Sequence, residues 1–168
     1  MNHKMIIVSD TSPISNLLVI DKLVLLQKVF SKVFIPDQVY MEILRLGDFN
    51  FDLKDFRKAD WIIRKSIHDL ATYQALIKSV DAGEAEAVTL ANELHADYIL
   101  IDEKKGRTIA HQYNIKTLGL PGVLLKAKQQ RHVPQVKTIL DQLRNEADFW
   151  ITEELYLQTL KLAGERKI

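Results

Sequence analysis

Along the chain, short unbroken apolar runs alternate with longer stretches in which apolar residues recur at helical spacing. The runs are Met5-Ile6-Ile7-Val8, Val33-Phe34-Ile35, Trp61-Ile62-Ile63 and Tyr98-Ile99-Leu100-Ile101, with a weaker fifth at Ile115-Lys116-Thr117-Leu118. Because they are continuous rather than alternating, they suit strands covered on both faces, as in a parallel sheet. The segments between them, such as Leu17, Leu18 and Ile20 before Leu23, Leu25, Leu26 and Phe30, have helical spacing. Strands and helices therefore alternate, and the predicted fold class is α/β, with a central parallel β-sheet flanked by helices.

Ser12-Pro13 and Pro36-Asp37 read as helix starts, since proline suits the first helical position and serine caps well one residue earlier. After Gly122 the sheet pattern fades, and helices are predicted over about 122–130, 134–146 and 152–163. The last opens on Thr152 with Glu153 and Glu154 in its first turn, where acids favour the helix dipole. The stretch Gly47 to Lys58 is the least regular and is expected to be a loop insertion. One domain over 1–168 is expected, with a core at about 1–130 and a helical C-terminal extension at about 131–168.

Composition narrows the chemistry. The 168 residues are 47% hydrophobic, with 23 Lys+Arg against 22 Asp+Glu and a formal net charge of +1. A chain of this length buries roughly 70% of its unfolded surface, enough for a core without staples. With no cysteine, thiol catalysis, iron–sulfur clusters, zinc knuckles and a disulfide framework all drop out. The near-neutral charge argues against holding nucleic acid by bulk electrostatics and leaves only a local site. The start, Met1-Asn2-His3-Lys4 before a short apolar run, is too short for a signal peptide or a membrane span, so no membrane association is expected and a cytoplasmic location is. There is no Gly-x-Gly-x-x-Gly, no Gly-Lys-Ser/Thr loop and no Gly-x-Ser-x-Gly elbow. The five histidines, His3, His68, His95, His111 and His132, never take zinc-binding spacing. Carboxylates remain.

Asp10 directly follows the first apolar run and Asp102 the fourth, which places both at carboxyl ends of strands, where open α/β sheets hold their ligands. Between Gly83 and His95, at 100° per residue, Glu84 falls within the apolar stripe of Ala87, Val88, Leu90, Ala91 and Leu94, whereas Glu86 and Glu93 fall on the opposite, polar face. An inward carboxylate is costly unless it is paired, protonated or bound to a cation. Glu42 lies about 60° to one side of the stripe formed by Val39, Ile43 and Leu46. Converging carboxylates repel, so one takes up a proton or a hard divalent cation holds them together. An acidic crevice with no phosphate-cradling loop points to metal-assisted phosphodiester hydrolysis.

The run Val8-Ser9-Asp10-Thr11-Ser12-Pro13, then Pro36-x-x-Val39-x-x-Glu42, Gly83-Glu84-Ala85-Glu86-Ala87 and Leu100-Ile101-Asp102-Glu103-x-x-Gly106-Arg107 resembles the PIN-domain ribonucleases. The closer likeness is to small prokaryotic PIN proteins related to the VapC-type toxins of toxin–antitoxin pairs, and it covers most of the chain. The resemblance implies a PIN-like fold and a cluster of acids that binds Mg²⁺ or Mn²⁺ and cleaves single-stranded RNA. Its catalytic acids would be Asp10, Glu42, Glu84 and Asp102. Of these, Asp10, Glu84 and Asp102 would hold metal, with Glu42 orienting the attacking water or binding a second ion. Thr11 or Ser12 matches the hydroxyl that often follows the first acid, and Lys104, Lys105 and Arg107 would grip the RNA backbone. The toxins commonly carry Asp at the third position and a further acid or polar residue shortly after the fourth; here these are Glu84 and Glu103.

The resemblance implies an RNA substrate, an antitoxin protein and a homodimer as partners; for the homodimer, Leu17 to Phe30 also holds more apolar residues than one core-facing stripe needs. The competing class is a catalytically weak or inactive PIN-like module that binds nucleic acid or protein. A phosphotransfer receiver domain would need a second acid beside the first Asp, which Ser9-Asp10-Thr11 lacks.

Overall fold

Each of the five apolar runs supplies one strand: β1 (Ile7–Ser9), β2 (Val33–Pro36), β3 (Ile62–Lys65), β4 (Tyr98–Leu100) and β5 (Thr117–Leu118). The computed structural model describes residues 4–165, so His3 and the last three residues of the expected C-terminal extension lie outside the described residues. All strands are parallel, in the order β3-β2-β1-β4-β5. The chain therefore winds one way from β1 to β3 and the other way from β4 to β5, which makes the β1/β4 pair the point where strand order reverses.

The helices are α1 (Thr11–Val19), α2 (Val24–Phe30), α3 (Asp37–Arg45), α4 (Lys54–Lys58), α5 (Leu70–Leu76), α6 (Ala82–Glu93), α7 (Lys104–Gln112), α8 (Leu120–Gln129), α9 (Val136–Glu146) and α10 (Glu153–Leu162). The stretch expected to be an irregular loop instead holds a 3-10 turn, Leu46–Phe49, and α4, which tucks Phe56 into the core. Helix α1 starts at Thr11, not after Ser12: Asp10 is its N-cap residue, and Pro13 falls inside the first turn, where a missing N–H costs nothing. Helix α3 starts at Asp37, with Pro36 as its N-cap residue.

Two layers cover the sheet. Ile7, Val33, Ile35 and Leu100 pack with α1, α2, α3 and α8 to α10, while Val8, Ile99 and Ile101 pack with α5, α6 and α7. The apolar surplus of Leu17 to Phe30 is divided between two helices, and Leu17, Ile20, Leu23, Leu25, Leu26 and Phe30 are all buried in the domain's own core. The domain's own core thus claims most of that surplus, with Leu18 half-buried against it and Val24 47% exposed. On α10, Tyr156 and Leu160 pack inward, whereas Leu155 and Leu162 face out. Helix α6 lies at the centre of its layer and is enclosed almost all round. Its supposed polar face is instead a second interface, where Glu86 accepts a hydrogen bond from the Gln38 amide of α3 (3.1 Å) and Glu93 accepts from the amides of His68 and Asp69 ahead of α5.

Candidate active site

The register aligns Ser9 of β1 with Leu100 of β4, and the Asp10 amide continues the ladder by donating to the Leu100 carbonyl at 3.0 Å. Asp10 and Asp102 thus leave neighbouring strands at the crevice of the switch point, where open α/β sheets place their ligands. Strand pleat sends alternate residues to opposite faces. Asp10 continues the parity of Val8, towards α6; Asp102 continues that of Leu100, towards α8.

Asp10 is only 5% exposed, and although it occupies the N-cap position of α1, its carboxyl caps nothing. Burial pushes its pKa up to about 8; the Thr11 amide opposes this, and the charges of Glu84, Asp81 and Glu42 add to it. Glu84, 7% exposed, is likewise raised, first by burial and then by the charge of Asp81, with smaller contributions from Glu103 and Glu42. Its inward phase on α6 is the one read from the sequence. Asp81 is an additional acid at the site, absent from the sequence reading. It is the N-cap residue of α6 and accepts from the Glu84 amide at 2.8 Å. The spacing Asp81-Ala82-Gly83-Glu84 is a capping-box pattern and was the available signal.

Glu42 reaches inward from α3. Its Oε2 accepts from the Thr11 hydroxyl and its Oε1 from Gln38 Nε2 at 3.4 Å. A Cβ at position 83 would stand 2.7 Å and 2.8 Å from the two carboxylate oxygens, so glycine there is what lets Glu42 lie against α6. Gly119 plays the same part for Asp102, whose Oδ1 would meet a Cβ at 2.9 Å. Glu86, expected to face away, is half-buried and near enough for the charges of Asp37 and Glu42 to act on it; burial is the main cause of its raised pKa.

Asp102 accepts from the Leu120 amide at the start of α8 (2.9 Å), and Glu103 takes the N-cap position of α7. The other Asp102 oxygen, Oδ2, is buried without a hydrogen-bond partner. Burial raises the pKa of Asp102 to about 6, while the Leu120 amide and the charge of Arg107 pull it down and Glu103 pushes it up. Asp10, Glu42, Glu84 and Asp81 therefore form one group on the α6 side. Asp102 stands on the α8 side, and Glu103, whose charge acts on both Glu84 and Asp102, links the two.

Among the described residues, no three His, Cys, Asp or Glu side chains enclose a common point as a metal cage would. The donors nonetheless fit a hard divalent ion. They are all oxygens, several are desolvated, and Asp102 Oδ2 is an acceptor with no donor, a deficit that a cation or its bound water would fill. Ser12, Lys104 and Arg107 line a groove of about 680 Å³ that also contains Asp102. Lys105 belongs to a separate groove between α5 and α7, which Lys104 also lines.

A parallel sheet in this order, with carboxylates walling its switch point, is a PIN-like α/β fold. The chain belongs to the PIN-domain family DUF3368, whose family model matches residues 6–165. PIN domains are a nuclease-type fold, generally hydrolases, and typically use divalent metal ions. No curated protein matches the chain. Among the described residues, no helix is long and apolar enough to cross a membrane.

Proposed function

We propose that the protein is an Mg²⁺- or Mn²⁺-dependent endoribonuclease that hydrolyses phosphodiester bonds of single-stranded RNA. The observation that carries this reading is the desolvated carboxyl of Asp10 among Glu84, Asp81 and Glu42, with the unpartnered Oδ2 of Asp102 across the same switch point. Asp10, Glu84 and Asp102 would hold the ion, directly or through the waters that Mg²⁺ retains. When bound, such an ion lowers the pKa of a water and offsets charge on the phosphoryl oxygens. Glu42, fixed by Thr11 and Gln38, orients the attacking water and accepts its proton. Lys104 and Arg107 supply positive charge beside Asp102 for the RNA backbone. The role of toxin, an antitoxin partner, a homodimer and a cytoplasmic location belong to the same proposal and rest on the likeness to the VapC-type branch.

Two observations favour a second reading, a nucleic-acid-binding module with weak catalysis: a Glu at position 84 in place of the toxins' Asp, and carboxylates divided between two faces of the sheet. An end-labelled single-stranded RNA separates them. Internal cleavage with Mn²⁺ or Mg²⁺, abolished by EDTA and weak on duplex RNA, is the expected outcome. RNA binding with no metal-dependent cleavage would establish the second reading instead.

Metal binding should also release protons. With a pKa of about 8, Asp10 is mostly protonated at pH 7 and must ionise to bind an ion. Titration calorimetry with Mn²⁺ in two buffers of different ionisation enthalpy should show about one proton released per ion at pH 7 and almost none above pH 9. Release that does not change with pH would exclude Asp10 as a ligand.

A further inference from the structure

Trp150 is the most exposed of the large apolar side chains, at 81%. It does not project from a frayed end. It sits between α9 and α10, in a segment fixed on both sides: the Phe149 amide donates to the Leu143 carbonyl at 3.0 Å, Phe149 and Ile151 turn into the core, and the Thr152 side chain caps α10. With Phe149 and Ile151 both turned inward, Trp150 between them is left facing out. Among the described residues, Trp150 has no aromatic or cationic partner. Holding a tryptophan in water exposes apolar surface that the domain's own core leaves unclaimed.

What the ring faces identifies its occupant. Phe149 and Trp150 line the same groove of about 680 Å³ as Asp102, Asn16, Lys104 and Arg107. Neither Lys104 nor Arg107 forms an ion pair among the described residues. An aromatic face, here that of Trp150, beside unpaired cations supplies the two elements by which single-stranded nucleic acid is held, with bases stacked and phosphates neutralised. A protein partner would be served by the aromatic surface but has no use for Arg107 next to the orphaned oxygen of Asp102. A nucleic-acid strand uses both, because its phosphates must approach that acid to be cleaved.

We propose that Trp150 is a stacking platform for an RNA base flanking the cleaved phosphate, with Lys104 and Arg107 holding the adjoining backbone, so that the C-terminal helices form one wall of the substrate groove. This rests on the reading of the same site as a ribonuclease, and it makes Trp150 a positioning residue, not a catalytic one.

The test compares Trp150→Ala and Trp150→Phe with the unmodified protein in RNA binding, RNA cleavage, diester hydrolysis and sedimentation, with Mn²⁺ present where cleavage is measured. Stacking loss should weaken binding of a labelled single-stranded oligouridine by about 5- to 100-fold in W150A and much less in W150F. KM for RNA cleavage should rise in the same proportion, with kcat within about threefold. Hydrolysis of bis(p-nitrophenyl) phosphate, a diester without bases, should be unchanged in both variants. Equal RNA affinity and KM in W150A and the unmodified protein overturn the stacking role, whatever the diester assay gives. So does loss of a dimer on sedimentation of W150A with RNA affinity intact, which would make the surface a protein interface. Absence of diester and RNA hydrolysis in the unmodified protein would instead defeat the nuclease reading, while the binding assay still decides the role of Trp150. Since the side chain is exposed, neither variant should unfold the domain.

Discussion

Asp10→Asn is expected to abolish metal-dependent RNA cleavage and, in the absence of metal, to raise the melting temperature by an amount that grows with pH. The activity loss should exceed about 100-fold, since even the outer partners of metal ligands are worth 10- to 100-fold. The stability gain follows from proton linkage. In the unfolded chain the Asp10 carboxyl ionises near its ordinary value of 3.8, whereas in the folded protein burial and the neighbouring acids hold the proton to about 8. Between those values the folded state binds more protons than the unfolded state, so the native protein loses stability as pH rises. Asparagine cannot ionise, so its advantage should widen by up to about 1.4 kcal/mol per pH unit from pH 5 to pH 8. For a chain of this length that is about 3–5 °C per unit. Saturating Mn²⁺ should reverse the order, because an ion bound only to the folded state stabilises the protein that binds it. Differential scanning calorimetry at pH 5, 7 and 8 reads all three effects. A melting temperature that falls sharply on substitution, at every pH, would make Asp10 a structural residue.

Gly83→Ala should also separate activity from stability, lowering the first and leaving the second almost unchanged. Within a helix alanine is favoured over glycine by up to about 1 kcal/mol. Here, however, the new methyl carbon would stand 2.7 Å from Oε2 of Glu42. The atom in its way is the tip of a flexible side chain, so Glu42 would yield, giving up its hydrogen bond from Thr11 while the helix remained in place. Thermal stability should change by less than about 1 kcal/mol, and kcat should fall about 10- to 100-fold, the range for a displaced supporting carboxylate. Glu42→Gln should match that loss, and the double variant should add little further, because both act on one carboxylate. Full activity in G83A would remove Glu42 from the mechanism.

The strands and the buried placement of Asp10 and Glu84 were legible in the sequence because each depends on short-range patterns. A continuous apolar run ending in Asp marks a strand end, and the helical phase of Glu84 needs only the positions of Val88 and Ala91. What was hidden depends on register and neighbours. Whether Asp102 leans towards α6 or α8 is set by one residue of strand parity, and the run Tyr98 to Ile101 does not reveal where pairing ends. The enclosure of Glu86 and Glu93 depends on α3 and α5 packing against both flanks of α6, which periodicity within α6 cannot report. The apolar surplus of Leu17 to Phe30 suggested a second subunit because a break at Ile20 to Leu23, without glycine or proline, did not mark two helices. Trp150 went unremarked because aromatic residues in loops are usually covered, and only the packing of Phe149 and Ile151 shows that this one is turned out.

The claim on which the rest depends is that the carboxylates at the switch point form a divalent-cation site. Mn²⁺ binding followed by electron paramagnetic resonance at pH 8 tests it most directly, with the unmodified protein beside Asp10→Asn and Asp102→Asn. Saturable loss of the free-ion signal in the unmodified protein, weakened at least tenfold in both variants, is the expected result. No saturable binding at millimolar Mn²⁺, or equal binding in all three proteins, would contradict it.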